Sequence, residues 1–278
     1  MVSLIVSTLG RSSEPARLLS SLDIQSYKDF EVIVIDQNED DRLVPILQSH
    51  PGLRLHHLRS PRGLSRGRNV GLAHATGDII AIPDDDCWYP ESLLASVAAW
   101  FDSHPEYSGL STIKRAADNT PVGPKWPKGA CEVFPKTLWQ CGISSAVFMR
   151  RTLTDRVGLF DENIGVGAPT CYQSGEETDY LLRAIDCGFR IAYEPAIAVH
   201  HPPLNSIDRM RRNTYTFALG SGYVMGRHGF SWWYLSDRLA RSFVGSAVSL
   251  MRGNFALAGI YLKRFAGQLR GYLAARNA

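Results

Sequence analysis

The sequence predicts an α/β protein: a mostly parallel sheet with helices on both faces, followed by a helical C-terminal appendage. Three observations carry this expectation. Segments 2–7, 30–36 and 78–82 are short, nearly uninterrupted apolar runs, as strands buried on both faces require. Stretches of helical period separate them. Beyond residue 205 the pattern is predominantly helical.

The elements follow in order. Val2–Ser7 predicts the first strand and Pro15–Ile24 an amphipathic helix. Phe30–Asp36 (FEVIVID) predicts a buried strand, Leu43–Gln48 a helix, Leu53–Leu58 a strand, Leu64–Ala75 a helix and Asp78–Ile82 a strand. Ser108–Pro135, rich in Gly, Pro and Lys, reads as a loop or hairpin excursion. Ile143–Arg150 returns as a strand and Leu153–Val157 as a helix. Tyr180–Cys187 is helical with Gly188 as its C-cap; strands Arg190–Tyr193 and Ala196–Val199 then run into His200-His201-Pro202-Pro203. The boundary is expected at 204/205, giving a body of residues 1–204 and a tail of 205–278.

A chain of 278 residues with 45% hydrophobic content can bury a sizeable core. Its five cysteines are scattered without a C-x-x-C pair, which argues for reduced thiols rather than a disulfide framework or a zinc site. The apolar N-terminus lacks the positive region of a signal peptide. Charge is unevenly distributed. From Arg209 onward eleven basic residues stand against the single acid Asp237, so residues 1–208 are net −7 although the whole chain is +3.

An acidic body with a basic, apolar tail points to an anionic surface as the tail's partner. Nucleic acid is not expected, because the tail's aromatics cluster with aliphatics instead of alternating with arginines. Arg238, Arg241 and Arg252 share one helical stripe, while Leu239, Phe243, Ala247, Leu250 and Met251 lie opposite. No apolar run is long enough to span a bilayer. The tail fits a basic helix in a membrane interface or a helical subdomain packed on the body.

The densest chemical signal is Asp84-Asp85-Asp86 at the end of a strand. Three carboxylates there repel one another unless a cation or hydrogen-bond donors compensate. Ligands of parallel sheets bind at the carboxyl ends of the strands. Thr8 to Arg11, Asp36 to Asp40 and Asp84 to Asp86 are therefore the functional candidates. Further along, Glu176, Glu177 and Asp179 crowd a helix start, more acids than a cap needs.

Taken with Ser7-Thr8-Leu9-Gly10-Arg11, Gly63-Leu64-Ser65, Arg68-Asn69-Val70-Gly71, Ala75-Thr76-Gly77-Asp78 and Gly158-Leu159-Phe160-Asp161-Glu162, these segments resemble the inverting glycosyltransferases of family 2, which have the GT-A fold. The resemblance covers about residues 2–205. It implies that Asp36 reads a uracil ring, that Thr8 and Arg11 line the nucleotide pocket, and that Arg68 binds the diphosphate. Asp84 and Asp85 join the nucleotide-binding residues, Asp84 serving the ribose or the metal's surroundings. Asp86 would hold Mn²⁺ or Mg²⁺, with His200 as a third ligand and its neighbour His201 as the alternative. Glu177 falls at the position of the catalytic base, here in a Glu-Glu pair where the family has Glu-Asp, and Asp179 is the second choice.

The expected activity is metal-dependent transfer, with inversion, of a sugar from a nucleotide donor, UDP-linked by the resemblance, to an acceptor hydroxyl. A saccharide or lipid-linked saccharide in polysaccharide or lipopolysaccharide assembly is the expected acceptor. The expected location is cytoplasmic, peripheral on the inner face of the cell membrane. The alternatives are a sugar-nucleotide pyrophosphorylase, for which the early Gly-rich phosphate loop is missing, and a catalytically silent GT-A domain that binds nucleotide or membrane.

Overall fold

The structure, a computed structural model, describes residues 1–203 and 207–277, with the backbone alone over 207–212. The boundary expected at 204/205 lies outside the described residues. The chain forms two compact units. One comprises Met1–Arg62, Arg66–Phe160 and the segment from Tyr180 through the last strand. The other comprises Gly63–Ser65, Asp161–Asp179 and the C-terminal helices.

The first unit is built on a sheet of eight strands: β1 (Val2–Thr8), β2 (Phe30–Asp36), β3 (Leu55–Arg59), β4 (Ile79–Ala81), β5 (Gly109–Arg115), β6 (Cys131–Glu132), β7 (Val147–Arg150) and β8 (Ile191–His200). Their spatial order is β3-β2-β1-β4-β7-β5-β8-β6. Of the seven pairings, the four of β1 with β2, β1 with β4, β2 with β3 and β5 with β8 are parallel. Helices α1 (Ser13–Asp23), α2 (Val44–Gln48), α3 (Leu64–His74), α4 (Leu93–Ser103), α5 (Leu138–Cys141), α6 (Arg151–Val157) and α7 (Glu176–Asp186) connect the strands.

Alternation along β1 explains the two-sided burial. Val2, Leu4 and Val6 join Leu18, Leu22, Val97 and Phe101 in one core cluster, while Ile5 points to the opposite face and meets Gly71 of α3. A Cβ on Gly71 would lie 2.2 Å from Ile5 Cγ2. Gly71→Ala is therefore expected to overpack this contact and lower stability by about 1–3 kcal/mol. The midpoint of urea unfolding checks this.

Two sequence expectations are corrected. Residues 109–115, read as part of a loop excursion, form β5 inside the sheet. Its polar residues are accommodated because Thr112 Oγ1 donates to the Ala146 carbonyl at 3.2 Å and Ser111 Oγ to that of Cys141. The two strands expected at 190–193 and 196–199 are one, β8, whose register against β5 shifts between Thr112 and Ile113. Pro195, lacking an N–H, sits at that irregularity.

The chain reverses direction through the sheet at β1. Strands β2 and β3 lie to one side and β4 to the other, so the carboxyl ends of β1 and β4 flank a topological switch point. There Ser7 bridges Asp84 in parallel register.

In the second unit, α8 (Ile207–Arg227), α9 (Trp232–Met251) and α10 (Phe255–Arg276) pack together. Small residues let α8 and α10 approach backbone to backbone. A Cβ on Gly271 would lie 2.0 Å from the Leu219 carbonyl oxygen, and one on Gly222 would lie 2.2 Å from that of Gln268. Segment 161–179 is tied to these helices: Ser174 Oγ donates to the Phe217 carbonyl at 2.7 Å, and Asp161 and Asp179 pair with the end of α8.

Candidate active site

In the first unit the strand tips gather one polar cluster. Thr8 is buried at the end of β1, opposite Asp36 in the parallel register. Asp36 is fully buried, and its Oδ1 accepts from the Asn38 amide N–H at 2.9 Å and from Asn38 Nδ2 at 2.7 Å. Its Oδ2 faces His57 Nε2 at 3.0 Å and Arg59 Nε at 3.5 Å. The carboxylate is thus flanked by donors on both sides.

The aspartate triplet is compensated by the chain's own cations. Arg11 Nη1 lies 2.5 Å from Asp85 Oδ1 and 2.9 Å from Asp86 Oδ2. Arg68, buried and stacked over the Phe160 ring, approaches Asp84 at 3.9 Å, and Ser144 Oγ donates to Asp84 at 3.2 Å. Arg17 donates to the Asp86 carbonyl at 2.6 Å. Burial pushes the Asp85 carboxyl above its ordinary range in spite of Arg11. Burial acts the same way on Asp86, but there the hydrogen bond and charge of His201, together with Arg11, prevail and hold it well below that range.

Asp84, Asp86 and His201 each turn one ligand atom into a common space, within 4.8 Å of one another. His201 Nδ1 lies 2.7 Å from the Pro202 carbonyl, which can only accept, so this nitrogen carries the proton. That leaves Nε2 facing Asp86 Oδ1 at 3.1 Å. A charged imidazole donates there, and a neutral one leaves a lone pair that a cation shared with the carboxylate would satisfy. Two carboxylates and an imidazole are a donor set that fits Mn²⁺ or Mg²⁺, the nitrogen favouring Mn²⁺.

The sequence named His200 as the third ligand with His201 as the alternative, and the structure brings His201 to the carboxylates. His200 closes β8, pairs with Arg115, stacks on Trp88 at 5.4 Å and sets Nδ1 3.1 Å from the Ala116 carbonyl. Adjacent side chains of an extended chain point to opposite sides, so only one of the doublet can face the triplet. The sequence also passed over His57, Arg59 and Ser144. The parallel register that sets Arg59 opposite Asp36 would have pointed to Arg59.

In the second unit the acids of α7 separate by burial. Glu176 and Asp179 are buried, whereas Glu177 is partly exposed. Asp179 Oδ1 faces His228 Nε2 at 2.9 Å and Arg227 at 3.8 Å, and Arg227 also pairs with Asp161 at 2.5 Å. Burial works against the Arg227 charge, but the hydrogen bond to Asp161 and the charges of Asp179 and Asp161 raise its pKa above the usual value. All three acids occupy the first turn of α7, where the helix dipole favours negative charge.

Residues 3–158 match the family described as "Glycosyl transferase family 2". A glucosyl-dolichyl phosphate glucuronosyltransferase of Haloferax volcanii is 25% identical over 222 residues, covering 72% of this chain and 68% of that protein. Two uncharacterized glycosyltransferases of Rickettsia species align over only 29% of their own length, so the chain spans less than a third of those relatives. Among solved structures, Staphylococcus aureus TarS 1-349 in complex with UDP-GlcNAc superposes with a TM-score of 0.61 at 17% identity, covering 99% of this chain and 90% of that one. The mannosyltransferase PcManGT of Pyrobaculum calidifontis, in complex with GDP-Man and Mn²⁺, gives 0.63 at 18%, covering 96% and 86%. The mixed sheet with its C-terminal helices is thus the expected GT-A architecture.

Proposed function

The chain belongs to glycosyl transferase family 2, and from that premise we propose that it transfers a sugar from a nucleotide donor to an acceptor hydroxyl with inversion. The observation that carries the reading is the Asp84–Asp86–His201 cluster beside Arg11 and Arg68 at the switch point of the sheet. A divalent ion held by Asp84, Asp86 and His201 would neutralise the diphosphate and favour its departure as leaving group. Arg68 and Arg11 supply guanidinium groups for phosphate oxygens, which they can bind bidentately.

At the base pocket the buried Asp36 is the acceptor for a ring N–H, its carboxylate held in place by Asn38 at one oxygen and by His57 with Arg59 at the other. Uracil offers such an N–H, and the UDP-GlcNAc complex of TarS supports a UDP-linked donor. Glu177, the least buried of the three α7 acids, is the general base that takes the acceptor proton as the hydroxyl oxygen attacks the anomeric carbon in a single displacement. Buried Asp179 positions the helix through His228 and Arg227.

The acceptor is a saccharide carried on a lipid, a class the name of the Haloferax volcanii relative includes. The basic tail would then hold the protein at the inner face of the membrane, residues 1–204 acting as the catalytic body. No helix among the described residues is long and apolar enough to cross a membrane, which fits attachment at the surface.

The test is thermal stabilisation by a panel of nucleotide sugars with and without Mn²⁺. UDP-sugars are expected to raise the melting temperature only with the ion present. His201→Ala removes that Mn²⁺-linked rise, while His200→Ala lowers the melting temperature of the protein alone through its lost stacking on Trp88 and leaves the rise in place. Equal stabilisation with and without Mn²⁺ would overturn the metal assignment.

A further inference from the structure

Helix α9 packs inside out. Its inner face is Leu235 with Ser242, Ser246 and Ser249, all buried, while Trp233, Phe243, Val244 and Met251 are mostly exposed, Trp233 at 86% and Met251 at 79%. Ser246 Oγ donates to the Ala258 carbonyl of α10 at 3.2 Å, and Gly245 lets the helix close on the Tyr261 ring. Small and hydroxylated residues inside with apolar ones outside invert the pattern of a water-facing helix, and match helices whose surroundings are lipid. Exposed Phe255 and Leu262 extend the apolar surface onto α10.

Between α9 and α10 runs an open cavity of about 680 Å³. Its walls include Val244, Val248, Leu257 and Tyr261, and Arg241 and Arg252 stand on it. Arg241 pairs with Asp237 at 2.8 Å, so the groove keeps one net positive charge. An apolar trough of that size with guanidinium groups beside it suits one kind of occupant: a membrane lipid that places its phosphate at the arginines and its chain along the valines.

We infer that the α9–α10 groove is a binding site for an anionic lipid, seating a phosphate-bearing headgroup at Arg241 and Arg252 and an acyl chain against Val244, Val248 and Leu257. This deepens the proposed membrane contact by naming its ligand class and its place. The exposed Trp233, Phe243 and Met251 enter the interface around the bound lipid, and Arg252, whose charge Asp237 does not offset, faces the headgroup phosphate. The contact is saturable and depends on the lipid headgroup, unlike diffuse attraction of a basic surface.

Cosedimentation of the intact protein with phosphatidylcholine vesicles, with and without phosphatidylglycerol, tests this. Wild-type protein is expected to bind only the vesicles containing phosphatidylglycerol. Arg241→Gln with Arg252→Gln should weaken that binding about 30-fold, from roughly 1 kcal/mol per basic residue. Val248→Phe, which fills the groove at unchanged charge, should also weaken it. Arg54→Gln with Arg156→Gln, exposed elsewhere and removing the same charge, should leave it within about threefold. Melting curves confirm that each variant is folded.

Binding by Val248→Phe equal to wild type, or equal losses from both arginine pairs, would overturn the groove as the site while leaving membrane attachment standing. Equal wild-type binding to both vesicle types would overturn the anionic-lipid contact itself. Loss of self-association in Val248→Phe by sedimentation velocity, without loss of vesicle binding, would make the groove a contact between copies. Donor turnover is measured separately, so failure here is distinguishable from failure of the transferase reading.

Discussion

Asp86→Ala is expected to abolish sugar transfer, lowering turnover by roughly 10³-fold or more, since a bound cation supplies several kcal/mol of charge stabilisation. Asp86 is where the compensating groups converge: His201 on one carboxylate oxygen, Arg11 on the other. Removing it leaves Asp84 and His201 without the third donor of their cluster. The variant should also lose Mn²⁺ binding in the absence of any donor, which electron paramagnetic resonance of the ion reads directly. Asp86→Asn, which keeps the side chain's shape, controls for folding. Undiminished activity that resists a chelator would refute the assignment.

Glu177→Gln is expected to lower turnover by about 10²–10⁴-fold while donor affinity stays nearly unchanged, because the amide keeps the shape of the side chain and cannot take a proton. Asp179→Asn should behave differently. That carboxylate is fully buried against His228 and Arg227, so replacing it weakens a buried polar contact with both, although Arg227 keeps Asp161, and lowers the melting temperature before it touches chemistry. Calorimetric titration with UDP separates the two. If Asp179→Asn loses turnover at unchanged stability and donor affinity while Glu177→Gln retains it, the base is Asp179.

The cluster at the strand tips was legible in the sequence because its residues leave apolar strands, and parallel pairing brings such ends together. Asp36 and the aspartate triplet declared themselves that way. What escaped depended on facing or on long-range packing. The choice between His200 and His201 turns on which side of an extended chain meets the triplet, which the doublet alone does not reveal. Strand β5 was hidden because Ser111, Thr112 and Lys114 break an apolar pattern, and their accommodation depends on partners such as Ala146, 34 residues away from Thr112. In the tail, the helix read from periodicity exposes Phe243, Leu250 and Met251, while Arg238, Leu239 and Ala247 are half-buried and the face turned inward is lined with serines. The tie from Asp179 to His228 spans 49 residues and has no local signature. It also means that cutting the chain near Asn205 would remove the partners of segment 161–179, so point substitutions are the sound way to test the tail.

The most direct measurement of the central claim is product analysis after incubating the protein with a panel of nucleotide sugars and Mn²⁺. The expected result is release of UDP from a UDP-sugar, dependent on the ion, abolished by chelation and by Asp86→Ala, and accelerated by a lipid-linked saccharide acceptor. Formation of pyrophosphate from a sugar 1-phosphate and UTP, or binding of UDP-sugars with no nucleotide released under any condition, would contradict it.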